Sequence, residues 1–150
     1  MIRFTFGLHI STSLELHINY VDGSIHNTRN LSSKAWAIFS LNGKLVTMQG
    51  IFIGRSTNNI LEYSAVVEIL YDAISHGIFC IVISLDSHFI VLQLDNIYLV
   101  RNPTILRMVL RVLLLERNFD FIRYEHISRN LNTSVDALAN FVLGQHLQRM

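Results

Sequence analysis

At 150 residues the chain is long enough for one domain with a full core and too short for two. Apolar residues make up 51% and charged residues 15%, which excludes a disordered chain. The net charge of +1 excludes capture of nucleic acid by bulk attraction, so such binding needs a local surface. The longest uncharged run, residues 73–85, contains His76 and Gly77 and falls short of a bilayer span, so no membrane partner is expected. The start of the chain lacks a small-residue cleavage site and predicts no signal peptide. The single cysteine, Cys80, lies in the apolar run IFCIVISL and reads as a buried, inert thiol, which fits a reducing intracellular compartment. Seven histidines are scattered without metal-ligand spacing, which speaks against structural zinc.

Residues 1–14 show no clear periodicity and are taken as an N-terminal extension, with the domain proper at 15–147. The stretch LHINYVDGS, residues 16–24, follows as a β-run: Ile18, Tyr20 and Val21 are strand formers, Gly23 turns the chain, and Asp22 stands at the strand end. Polar residues 25–33 read as a loop. Residues 34–41 and 44–53 flank Asn42-Gly43, a strong hairpin signal, so the first three strands predict an antiparallel meander.

From Asn58-Asn59 to His76 the apolar residues Ile60, Tyr63, Val66, Val67, Leu70 and Ile74 follow helical spacing, and Gly77 supplies the stop. Residues 78–85 form a continuous β-branched run suited to a strand buried on both faces, and it runs into Asp86. A short helix is predicted over 87–94. Asn102-Pro103 is a cap followed by proline at the first helical position and opens a helix to about Arg117, with Arg107 and Arg111 on a solvated stripe. Residues 119–127 predict a fifth strand, 128–132 a polar loop, and 133–147 a last helix. The order implies an α/β domain in which a hairpin meander joins a crossover. A right-handed crossover through the 58–76 helix would set the strands before Asp22 and Asp86 side by side and parallel, at the edge where open α/β sheets bind ligands.

Four acids thus fall at strand ends or helix starts: Asp22, Glu62, Asp86 and Asp136. Each has a local alternative. Asp22 fits a turn, and Asp86 fits a cap for the following helix. Asn59-Ile60-Leu61-Glu62 matches a capping box, and Thr133-Ser134-Val135-Asp136 has the same spacing. Taken together, four converging carboxylates would repel one another unless divalent cations sat between them. An all-oxygen set suits magnesium or manganese, and two such ions about 4 Å apart serve phosphodiester hydrolysis. Such a set requires approaches on the order of 4–8 Å between neighbouring carboxylates, whereas the capping-box alternative turns Glu62 back to Asn59 and away from Asp22.

The motifs Tyr20-Val21-Asp22-Gly23-Ser24, Thr57-Asn58-Asn59 with Glu62-Tyr63, Asp86-Ser87 with Gln93 and Tyr98, and His126-Ile127-Ser128-Arg129 with Asn132 and Asp136-Ala137-Leu138-Ala139-Asn140 occur in this order. Together they resemble the ribonuclease H family, in the form found in retrotransposon polyproteins and plant ribonuclease H-like proteins. The resemblance implies a ribonuclease H-like five-stranded mixed sheet, an antiparallel meander plus parallel strands, flanked by helices. It implies an endoribonuclease that cuts the RNA strand of RNA/DNA hybrids with two Mg2+ ions, or Mn2+, held by Asp22, Glu62, Asp86 and Asp136. His126 would assist proton transfer or product release. Ser24, Asn58, Asn59, Ser87, Arg129 and Asn132 would contact the hybrid. It further implies a monomer, derived from a polyprotein in which it was fused to a reverse transcriptase. The alternative is an inactive module of the same fold that binds nucleic acid or a protein. One stretch and two positions depart from the pattern: residues 25–37 hold no glycine, Leu61 stands where alanine is usual, and His88 stands where glutamine often follows Asp-Ser.

Overall fold

The computed structural model describes residues 2–4, 15–26, 31–55, 57–85 and 87–127. Six strands, β1 (Ile2–Phe4), β2 (Leu16–His26), β3 (Leu31–Ser40), β4 (Leu45–Gly54), β5 (Cys80–Leu85) and β6 (Phe121–His126), form one sheet in the order β1-β6-β5-β2-β3-β4. The predicted five-stranded mixed sheet is β2 to β6. The sixth strand, β1, pairs antiparallel with β6. It lies inside the stretch read as an unassigned extension, and three residues are too few to show a period.

β2, β3 and β4 form the expected meander. The connection at Asn42-Gly43 closes with Gly43 at φ 88°, and the Ser40 amide donates to the Lys44 carbonyl at 2.8 Å. The stretch 25–33 differs from expectation. Ile25 and His26 extend β2 and Leu31 to Ser33 open β3, in register as Ile25↔Ser32 and His26↔Leu31. Ladder hydrogen bonds satisfy the backbone there, so polar side chains do not prevent a strand.

Three helices complete the described chain: α1 (Asn58–Ser75), α2 (His88–Asp95) and α3 (Pro103–Glu116), with a 3-10 turn at Ile97–Leu99 between the last two. α1 is the crossover. It packs on β2 and β3 with one side and on α3 with another, which is why Leu61, Tyr63, Ala65, Val66, Ile69, Leu70 and Ala73 are all fully buried. It stops where Gly77 takes φ 70° and the Ile78 amide returns to the Ala73 carbonyl at 2.9 Å. β5 is buried at every position, as a central parallel strand should be.

α3 starts at the predicted cap, with Asn102 Oδ1 accepting from the amides of Thr104 and Ile105 and Pro103 at the first position. Its buried stripe is Ile105, Val109, Val112 and Glu116. The main core lies between the sheet and these helices and includes Trp36, Ile38, Tyr63, Ile81, Ile83 and Phe119. On a second cluster, Ala35 and Ala37 pack with Tyr20, Phe39 and Met48. The predicted last helix, 133–147, lies outside the described residues.

Candidate active site

The site is set by strand direction. β2, β5 and β6 run parallel, and their register brings Val21, Leu85 and His126 into one row across the sheet. Asp22 is the next residue in β2, opposite Ala35 of β3, and is placed by its backbone. Asp86 follows Leu85 in the sequence. Asp86, Asp136, Arg129 and Asn132 lie outside the described residues.

Glu62 and His126 are the two members of the predicted catalytic set whose side chains are described. Glu62 lies on α1 between Leu61 and Tyr63, and all three are buried, the carboxylate residue at 3% exposure. The capping-box alternative for Glu62 is corrected here. The N-cap of α1 is Thr57, whose side chain accepts from the Ile60 amide at 3.2 Å, and the first turn holds no acid. With Thr57 as cap the third helical position is Ile60, so Glu62 lies beyond the first turn. The cap alternative for Asp86 is likewise replaced: Ser87 caps α2, its hydroxyl accepting from the Ile90 amide at 3.3 Å. Ser87 was expected at the substrate, and its hydroxyl has this structural task. Among the described residues no three His, Cys, Asp or Glu side chains form a metal-binding group.

His126 is exposed at the end of β6, and the next amide, Ile127, donates to the Leu85 carbonyl at 2.9 Å, which ties this strand end to β5. Its ring meets that of His88, the first residue of α2, edge to face at 5.2 Å between centroids. One row back, the buried Ser84 hydroxyl donates to Glu125 Oε1 at 2.9 Å, and Arg123 stands 3.6 Å from the other oxygen of Glu125.

Beside the row, Tyr63 and Gln93 join α1 to α2. The buried Tyr63 hydroxyl donates to Gln93 Oε1 at 2.7 Å. Burial, and after it the charge of Glu62, push the Tyr63 phenol well above its ordinary pKa of 10.0. Gln93 faces a cleft of about 440 Å³ whose lining includes Thr57, Asn59, Phe89, Arg101 and Asn102. Asn59 is exposed there, and Asn58 is placed in the first turn of α1 by its backbone. Ser24 is placed in β2 opposite Ser33.

Thr57, Arg101 and Asn102 were not singled out as contact residues. The signal was present for the last two, since a cation next to a helix-capping asparagine favours an anion. The cleft is chemically mixed: amides and one guanidinium for hydrogen bonds, and Ile60, Phe89, Leu99 and Ile105 for apolar contact.

The strand order and the crossover helix define an α/β domain built on a mixed sheet, and comparison with known proteins specifies it. Residues 20–142 match the family described as reverse transcriptase-like. A ribonuclease HI of Halobacterium salinarum is 32% identical over 124 residues, 83% of this chain and 62% of that protein. The crystal structure of RNase H1 from the same archaeon superposes with TM-score 0.82 at 31% identity, covering 87% of this chain and 98% of that one. The N-terminal RNase H domain of a Mycobacterium tuberculosis protein, Rv2228c, gives TM-score 0.83 at 25% identity, covering 90% and 98%. The chain spans only 24% of the full bifunctional mycobacterial protein, with 35% identity over 88 residues. The chain belongs to the ribonuclease H family. A likeness of fold alone, at 24% identity and TM-score 0.80, extends to LC11-RNase H1 in complex with an RNA/DNA hybrid, which covers 87% of this chain and 99% of that one.

Proposed function

We propose that the domain, residues 15–147, hydrolyses the RNA strand of RNA/DNA hybrids with the help of two Mg2+ ions, Mn2+ being an alternative. The observation that carries this reading is the rim row Val21, Leu85, His126 on three parallel strands, with Asp22 and Asp86 next in sequence after the first two. The donor set fits hard divalent cations: Asp22, Glu62, Asp86 and Asp136 would hold them through oxygen alone, and Glu62 is a carboxylate buried at 3% exposure. Bound ions would supply electrostatic stabilisation of the phosphorane-like charge and of the leaving oxygen.

The chain's own side chains have separate tasks. The exposed imidazole of His126 at the strand end would assist proton transfer or product release. The cleft, through Asn59, Gln93 and Asn102, offers amides suited to 2′-hydroxyls and base edges in the wide minor groove of an A-like duplex. Arg101 at the same cleft suits a phosphate. The buried Tyr63 hydroxyl fixes the Gln93 amide by taking its oxygen as acceptor, which leaves its NH2 as the group to be offered.

Support for a retroelement origin, with fusion to a reverse transcriptase, comes from the reverse transcriptase-like family match. A monomer is proposed with it. The test is cleavage of a labelled RNA/DNA hybrid by the purified chain, with and without Mg2+. The expected result is metal-dependent cuts confined to the RNA strand. Absence of cleavage, or equal cleavage of single-stranded RNA, overturns the reading.

A further inference from the structure

Between the first residue of α2 and the last residue of β6, two exposed imidazoles meet. The rings of His88 and His126 have centroids 5.2 Å apart and planes at 78°. That is the edge-to-face geometry in which the positive edge of one ring meets the negative face of the other. Both backbones are held. Ser87 caps α2 through the Ile90 amide at 3.3 Å, and Ile90, Val91, Gln93 and Leu94 bury the rest of the helix. β6 is tied at its end by the bond from the Ile127 amide to the Leu85 carbonyl. Contact with a ring carried by a capped helix favours one of the staggered rotamers open to a histidine at a strand end.

We propose that His88 is a positioning residue for His126: the contact of its ring holds the imidazole of His126 at the rim in the orientation used in turnover. The role rests on the ribonuclease reading of the same rim. Position 88 carries the ring where the related pattern often carries glutamine, so this chain orients its rim histidine by aromatic contact. The aromatic preference for such a pair corresponds to about a two- to tenfold bias of one orientation over the others. Misplacement of a group at the reacting centre lowers kcat more than it alters binding.

The experiment measures kcat and KM for hybrid cleavage in Mg2+ with the wild-type chain, His88→Gln and His88→Phe, each also in a His126→Ala background. His88→Gln is expected to lower kcat by about two- to tenfold with KM unchanged. His88→Phe, which keeps a ring, is expected to restore most of that loss. Both substitutions are expected to have no effect on kcat once His126 is alanine. A second readout needs no activity: in the metal-free protein with labelled imidazoles, replacing His88 should move the ring resonances of His126. Position 88 is exposed at a helix start, and melting curves establish that each variant is folded. A kcat loss of equal size in both backgrounds, a rise in KM alone, or no restoration by phenylalanine overturns the positioning role and leaves the ribonuclease reading intact. Wild-type protein that cleaves no hybrid overturns both.

Discussion

Val21 and Leu85 are partners in the last pair of the parallel ladder between β2 and β5, and an aspartate comes next in the sequence after each. The crossover through α1 produces this pairing, because a parallel neighbour needs a long connection and α1 provides it on one face of the sheet. In the proposed function Asp22 is one of the four carboxylates that would hold the ions. Asp22→Asn keeps the size and removes the charge. It is expected to lower the cleavage rate by about a thousandfold or more while leaving the far-ultraviolet spectrum unchanged. A folded variant with near wild-type turnover would remove Asp22 from the mechanism.

Thr57 and Glu62 divide structure from chemistry at the start of α1. The cap belongs to Thr57, so Thr57→Ala should cost about 1 kcal/mol of unfolding free energy, read from urea denaturation with an unchanged slope. Glu62 lies past the first turn, outside the cap positions. Glu62→Gln is therefore expected to show no cap-type loss in the metal-free protein and to abolish metal-dependent cleavage. If instead both variants lost the same stability and the glutamine variant still cleaved, Glu62 would be a structural residue.

The same segment shows what could and could not be read beforehand. The helical period from Ile60 to Ile74 was clear because α1 buries its apolar positions, and β5 was clear because a strand buried on both faces has no polar alternation to hide it. Asn42-Gly43 and Asn102-Pro103 were legible because their backbone geometry depends on those residue types. The helix start was not. Thr57, Asn58 and Asn59 are all good caps, and a shift of two residues decides whether Glu62 is the third position or not. The extension of β2 and β3 over Ile25 and Leu31 was hidden because a ladder bonds through backbone that composition does not report. Cleft residues such as Arg101 come from a loop that only the packing of α2, the 3-10 turn and α3 brings to Asn59.

Tyr63 predicts an alkaline limit. Its folded-state pKa lies above the ordinary 10.0, through burial first and the Glu62 charge second. Below pH 10 the phenol is neutral in both folded and unfolded chains and its contribution to stability is fully present. As pH rises past 10 the unfolded chain ionises first, so stability falls progressively toward the raised folded pKa. Tyr63→Phe should flatten this alkaline decline. At neutral pH it should cost about 1 to 2 kcal/mol, because Gln93 Oε1 is left buried without the donor it has at 2.7 Å. Paired urea titrations at pH 8 and above pH 10 check both signs. An equal alkaline slope in the two proteins would assign the decline to other groups.

Asn19 supplies the last prediction. It is fully buried in β2, and among the described residues neither its amide nitrogen nor its amide oxygen has a hydrogen-bond partner. Its ladder partners are Ile38 in β3 and Ile83 in β5, both fully buried in the main core. A buried primary amide without a partner from the protein costs about 1 to 3 kcal/mol. Leucine has a similar branched outline and no polar atom, so Asn19→Leu removes the cost while keeping contact with both isoleucines. The variant is expected to gain about 1 to 3 kcal/mol and to melt several degrees higher. The cleavage rate should hold, because Asn19 pairs in the strand interior and the rim row begins at Val21. Thermal and urea unfolding measure the first outcome, and hybrid cleavage measures the second. A destabilised leucine variant would mean that the amide is satisfied by a trapped water, and a valine variant distinguishes that from overpacking: loss in both points to the water, loss in leucine alone to size.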